Sequence, residues 1–87
     1  MKIQLSKYGT VLTSRPAGKE ALLALKAYVL SKKEETLEID FEGIKVLSPS
    51  WADEFLTPLK KEYQDRLFLL PSDNPSVLAS LKMVGLN

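Results

Sequence analysis

Ile3 and Leu5 alternate with Lys2 and Gln4, Ser6 to Gly9 reads as a turn, and Thr10-Val11-Leu12-Thr13 is rich in strand formers. Together these predict an N-terminal β-hairpin. Ser14 ahead of Arg15-Pro16 is a helix start, because a serine hydroxyl can accept an orphan amide and proline is tolerated in the first turn. The helix is expected to run to about Ser31: Leu22, Leu25 and Val29 recur at helical spacing, Ala21, Ala24 and Leu30 widen the stripe, and Lys19, Glu20, Lys26 and Lys32 fall largely elsewhere. Leu37, Ile39 and Phe41 then alternate with Glu38 and Asp40, the period of a strand in a sheet covered mainly on one side.

Gly43 supplies a turn, Ile44 to Leu47 is a short apolar return, and Ser48-Pro49-Ser50 opens a second helix to about Tyr63. Pro58 falls inside that span and predicts a kink or break near Asp53 to Leu56, since an interior proline removes a hydrogen bond and costs ~3 kcal/mol. Arg66 to Leu70 reads as a buried strand ended by Pro71. Asn74-Pro75 caps a last helix with Val77, Leu78, Leu81 and Val84 as its apolar face and Gly85 as its stop. The order β-β-α-β-α-β-α defines an α/β class: a mixed sheet, N-terminal hairpin then parallel strands joined by helical crossovers, with helices packed mainly on one face.

Eighty-seven residues hold one hydrophobic core, so a single domain over 1–87 is expected. A net charge of +1 gives no basic field of the kind phosphate-backbone binding needs, and no nucleic-acid partner is expected. The chain has no Cys and no segment resembling a signal peptide or membrane span, which makes the cytoplasm the expected compartment and a membrane an unexpected partner.

The absence of His and Cys removes the commonest general base, metal ligands and nucleophile, and the four scattered glycines form no phosphate loop. The reading is therefore not an enzyme, with no cofactor and no metal. Asp53 and Glu54, neighbours on a helix, diverge by about 100° and suit a helix dipole better than a shared substrate atom. Asp40, Glu42 and Asp53 lack any metal-ligand spacing. Lys60-Lys61 near Tyr63, and Lys32-Lys33 near Tyr28, interleave base with aromatic, but Glu34, Glu35, Glu62 and Asp65 make a solvated mixed-charge face of both. A hydrolase or transferase acting through Ser50 would lack a base.

The stretch from Leu37 to Leu56 carries Asp40-Phe41-Glu42-Gly43-Ile44, then Ser48-Pro49-Ser50, then Trp51-Ala52-Asp53-Glu54-Phe55-Leu56. It resembles the centre of a STAS domain, the fold of anti-sigma factor antagonists, in which a strand ending Asp-Phe-x-Gly-Val leads to a serine-bearing helix start. The Trp-Ala-Asp-Glu run, with the Ser14-Arg15 helix start, resembles still more closely a STAS-like family of uncharacterised function. What the resemblance implies is a non-enzymatic regulatory module that docks a partner protein, often an ATPase of the histidine-kinase type. The surface implied comprises Asp40, Glu42, Gly43, Ser48, Ser50, Trp51, Asp53 and Glu54.

In classical members the first serine of Asp-Ser-Ser-Gly is phosphorylated by the partner; here that place falls on Pro49, leaving Ser48 and Ser50 as flanking phosphoacceptor candidates. Either serine can instead cap the helix, which is the favoured reading. Trp51 is read as a core wedge ahead of an interface hot spot. The alternative function is a small-molecule, nucleotide or anion sensor at the same helix start. The resemblance also implies a further strand and helix beyond Asn87 in classical members, so an open sheet edge, and with it a homodimer or a strand-adding partner, is an expectation as well.

Overall fold

A computed structural model describes residues 1–28 and 36–86. The alternating first residues form strand β1 (Lys2–Gln4), but the turn after it does not reverse the chain. Leu5–Tyr8 winds into a short 3-10 turn that buries Leu5, and Gly9, at φ +128°, releases the chain forward into β2 (Val11–Leu12). The expected hairpin is therefore corrected. β1 pairs in parallel with β3 (Leu37–Asp40), and β2 pairs in parallel with β4 (Val46–Leu47), the apolar return after Gly43. β3 also pairs in parallel with β5 (Leu67–Leu69), giving one sheet of order β1-β3-β5 and a two-stranded continuation β2-β4.

The register fixes the faces. Ile3, Ile39 and Leu69 align across one face, while Lys2, Glu38 and Phe68 align on the other. Ile3, Leu37, Ile39 and Leu67 are buried, and Phe68 is 49% exposed, so one face is packed and one is wet. The expectation of one covered face holds, whereas the apolar run Arg66–Leu70 is not buried throughout, because a sheet covered on one side leaves alternate residues outside.

Helices α1 (Arg15–Tyr28), α2 (Pro49–Tyr63) and α3 (Pro75–Met83) supply the other layer. Ser14 caps α1, its hydroxyl accepting the Ala17 amide at 3.2 Å. The expected continuation through Val29 and Leu30, and the Lys32-Lys33 pair, lie outside the described residues. The expected break near Asp53 to Leu56 does not occur: α2 runs unbroken through Pro58. Phe55, Leu56, Leu59 and Tyr63 are all buried along that helix, and this packing outweighs the amide proline lacks.

α3 is stitched to β4 by side chains. The Asn74 side-chain amide donates to the Ile44 and Lys45 carbonyls at 2.8 and 3.2 Å, while its oxygen accepts the Ser76 and Val77 amides. Ser76 accepts the Leu47 amide at 3.2 Å, and buried Ser80 donates to the Leu47 carbonyl at 2.6 Å. Helix side chains thus satisfy strand backbone where a neighbouring strand would otherwise be needed. Val77 and Leu81 enter the core, but Leu78 stays 48% exposed, contrary to the face expected. Gly85, at φ +75°, follows the end of the helix as anticipated. Among the described residues no helix is long and apolar enough to cross a membrane.

Candidate functional site at the start of the second helix

Ser48 ends β4 in extended conformation and caps α2. Its hydroxyl is used twice, accepting the Trp51 amide at 3.1 Å and donating to the Thr13 carbonyl at 2.6 Å. Its carbonyl accepts the Ala52 amide at 3.1 Å, and Pro49 has no amide to satisfy. Local sequence dictates this arrangement, because a serine before proline is a self-sufficient N-cap. Of the first amides of α2, only that of Ser50 meets no partner among the described residues, and the half-buried Ser50 hydroxyl meets none either.

Asp53 and Glu54 lie beyond the first turn, which contains no acid, so the dipole role expected of them is corrected. Both instead reach one guanidinium nitrogen: Arg15 Nη1 lies 2.9 Å from Asp53 Oδ2 and 2.8 Å from Glu54 Oε2. Thr57 donates to the other Asp53 oxygen at 2.9 Å. The Arg15 hydrogen bond, then that of Thr57, holds the Asp53 carboxyl below its ordinary value. The clamp joins the first turn of α1 to the second turn of α2.

Trp51 is 1% exposed and stacks on Phe55 with ring centroids 4.8 Å apart. It is the core wedge the sequence favoured, and its buried indole offers a partner no surface. The reason for its depth lies opposite, where Gly18 lets α1 approach the α2 backbone at Trp51.

Asp40, Glu42 and Gly43 make a different set of contacts. Asp40 Oδ1 accepts the Glu42 amide at 3.0 Å, and Lys2 lies 3.5 Å from Oδ2. That backbone hydrogen bond, aided by Lys2, holds the Asp40 carboxyl below its ordinary value against the opposing effect of desolvation. Gly43, at φ +86°, makes a turn that side chains rarely adopt and packs beside Ser6. With Ser72, Asp73 and Asn74 these residues rim an open cleft of about 650 Å³.

The expected surface residues thus make two sets of contacts: the Asp40–Gly43 loop shares a cleft with the residues at the start of α3, and the Ser48–Glu54 segment is tied to Thr13 and Arg15. The sequence names Arg15 and Asn74 only as parts of helix starts, and the clamp of Arg15, the close approach at Gly18 and the Asn74 stitch are not read from it. Arg15 stands 38 positions from Asp53, and nothing local announces the pairing.

Asp53 is held by Arg15 rather than grouped with Asp40 and Glu42, and among the described residues no cluster of three or more acids could hold a metal ion. Tyr63 is buried, with Arg66 5.0 Å from its ring centroid, so it presents no open face beside Lys60 and Lys61 on which a base could stack.

A family model described as a STAS-like domain of unknown function matches residues 19–78, which includes β3, β4, α2 and β5 in full. No individual curated protein and no solved structure matches the chain.

Proposed function

Since the chain belongs to this family of STAS-like domains, we propose that it is a non-enzymatic regulatory module of the cytoplasm that acts by docking a partner protein at the start of α2. The partner class implied by the resemblance to anti-sigma factor antagonists is an ATPase of the histidine-kinase type. The observation that carries the reading is the division of labour between the two serines: Ser48 is spent as a cap on both sides of its hydroxyl, while the Ser50 hydroxyl, one residue into the helix, meets no partner among the described residues.

Ser50 is accordingly the phosphoacceptor proposed, and Ser48 is withdrawn from that role. A phosphate on Ser50 would sit at a helix N-terminus, which favours negative charge. The like charge of Asp53 and Glu54 is offset in part by their shared Arg15, which neutralises one of the two carboxylates. Phosphorylation would place about −2 charge on the docking surface and release the partner.

The anion-sensor alternative is less well supported. One unbonded amide remains at the start of α2, too few for a nest, and the cleft beside the Asp40 loop carries Asp40, Glu42 and Asp73, which repel an anion.

The test is affinity capture from lysate of the native host with the wild-type domain, Ser50→Arg, and Glu42→Arg, each first checked for folding by circular dichroism. Loss of one captured ATPase with Ser50→Arg supports the reading. Equal capture by all three proteins, or capture of nothing, refutes it. Mass spectrometry of native protein that finds no phosphate on Ser50 in any growth condition removes the switch and leaves the docking reading to the capture experiment.

A further inference from the structure

The edge of β5 opposite β3 is the second feature of the molecule with unused recognition chemistry. The Leu70 amide donates to the Ile39 carbonyl at 2.9 Å, so in this parallel register the even-numbered residues of the strand turn their backbone toward β3. Leu67 and Leu69 turn theirs away. The Leu67 amide is taken by the Gln64 carbonyl, and among the described residues the Leu67 carbonyl and both Leu69 groups meet no partner along the edge. A cleft of about 380 Å³ runs beside it, lined by Leu67 and Leu69 of β5, Leu78 and Leu81 of α3, Leu86, and Lys60 of α2. Phe68 stands on the wet face of the same strand, exposed, as is Leu78.

We propose that this cleft binds an extended segment of another protein that adds a strand to β5, with apolar side chains at alternate positions and an acidic side chain reaching Lys60. A strand laid along the edge meets the Leu67 and Leu69 backbone groups, which supply sequence-independent hydrogen bonds. Its inward residues enter the cleft against Leu78 and Leu81, and its outward residue lies across from Phe68, where aromatic and β-branched neighbours are favoured.

Charge selects the occupant. Lys60 is the single charged residue lining the cleft among the described residues, so the complementary partner is acidic. A second copy of this chain offers a β5 of only three residues for overlap, with one amide already taken. This surface lies on β5 and α3, away from Ser50, and stands or falls independently of the docking reading above.

The test is selection of a phage-displayed library of random dodecapeptides on the immobilised domain, with Lys60→Glu and Leu78→Asp as counter-targets. Both substitutions are at exposed positions, and circular dichroism checks that the fold is retained. The expected pool alternates apolar and polar residues and is enriched in Asp or Glu. Selected peptides should lose roughly fivefold or more in affinity on Lys60→Glu, and amide NMR shifts on binding should centre on Leu67–Leu70. A pool without alternation, no enrichment at all, or affinity indifferent to both substitutions overturns the proposal. So does a domain that sedimentation shows to be a dimer with β5 protected from hydrogen exchange, since the second copy would then be the occupant.

Discussion

Replacing Gly18 with alanine sets two opposing effects against each other. Gly18 lies in ordinary helical conformation in α1, where alanine is favoured over glycine by about 1 kcal/mol. A Cβ there, however, would stand 2.9 Å from the Trp51 carbonyl oxygen, 3.2 Å from Trp51 Cα and 3.1 Å from Glu54 Cβ. Two of these three atoms are backbone of α2, in the turn pinned by the Ser48 cap, so they cannot swing aside as a flexible side chain would. Overpacking of this kind costs about 1–3 kcal/mol, and the rigid obstacle puts this site toward the upper end or beyond.

The net expectation is a loss of about 1–2 kcal/mol. For a domain of this size that lowers Tm by roughly 5–15 °C. Thermal and urea unfolding followed by far-ultraviolet circular dichroism measures it, with exposed Lys19→Ala as a control expected to stay within about 0.5 kcal/mol of wild type. A Gly18→Ala protein as stable as wild type, or more so, would refute the close approach of α1 to α2 and the reason given for the depth of Trp51.

Trp51→Ala empties the core position stacked on Phe55 and should cost about 3–5 kcal/mol, a large part of the total for a domain of this length; urea unfolding that differs from wild type by less than about 1 kcal/mol would place the indole at the surface instead. Ser80→Ala removes a buried donor from the Leu47 carbonyl and should cost about 1–3 kcal/mol, with hydrogen exchange rising in β4 and α3 ahead of the central sheet. The Asp53 and Asp40 carboxyls have folded values below their unfolded ones, so their contribution is present at neutral pH and lost as pH falls below about 4 through the folded values. In Arg15→Ala the Asp53 carboxyl should move up toward its usual range in an NMR titration, and the Tm difference from wild type should be present at pH 7 and close in acid; a difference that persists unchanged into acid would contradict the clamp.

Local chemistry was legible in the sequence. The Ser14 and Asn74 caps depend on neighbours a few residues away and form where the sequence puts them, and of the two serines offered as caps for α2 it is Ser48 that serves. The period-two strand at Leu37–Asp40 was equally readable, because alternation records which face is wet. What misled was non-local. A turn at Ser6–Gly9 between two short strand-like runs looks the same whether it reverses the chain or carries it forward. The parallel pairing of Lys2 with Glu38 decides between them, and no local signal reports it. Pro58 argued for a kink or break near Asp53 to Leu56, yet α2 runs without a break, with Phe55, Leu56, Leu59 and Tyr63 buried along it.

At the candidate site, the serines and acids were visible but their partners were not. Arg15, distant in sequence, turns Asp53 and Glu54 from a dipole pair into an inter-helix clamp. The approach of Gly18 sends Trp51 into the core. The loop at Asp40–Gly43 was grouped with the start of α2 by the family resemblance, yet Asn74 ties the residues that follow it, Ile44 and Lys45, to the start of α3.

The most direct test of the docking surface is site-specific photo-crosslinking in the native host, with a benzophenone amino acid in place of Ser50 and, in a second strain, in place of Glu38 on the wet face of the sheet. One discrete protein adduct is expected at position 50, absent at position 38 and diminished by Arg15→Glu, which breaks the neighbouring clamp. No adduct at either position, or the same adduct at both, would contradict a partner surface at the start of α2.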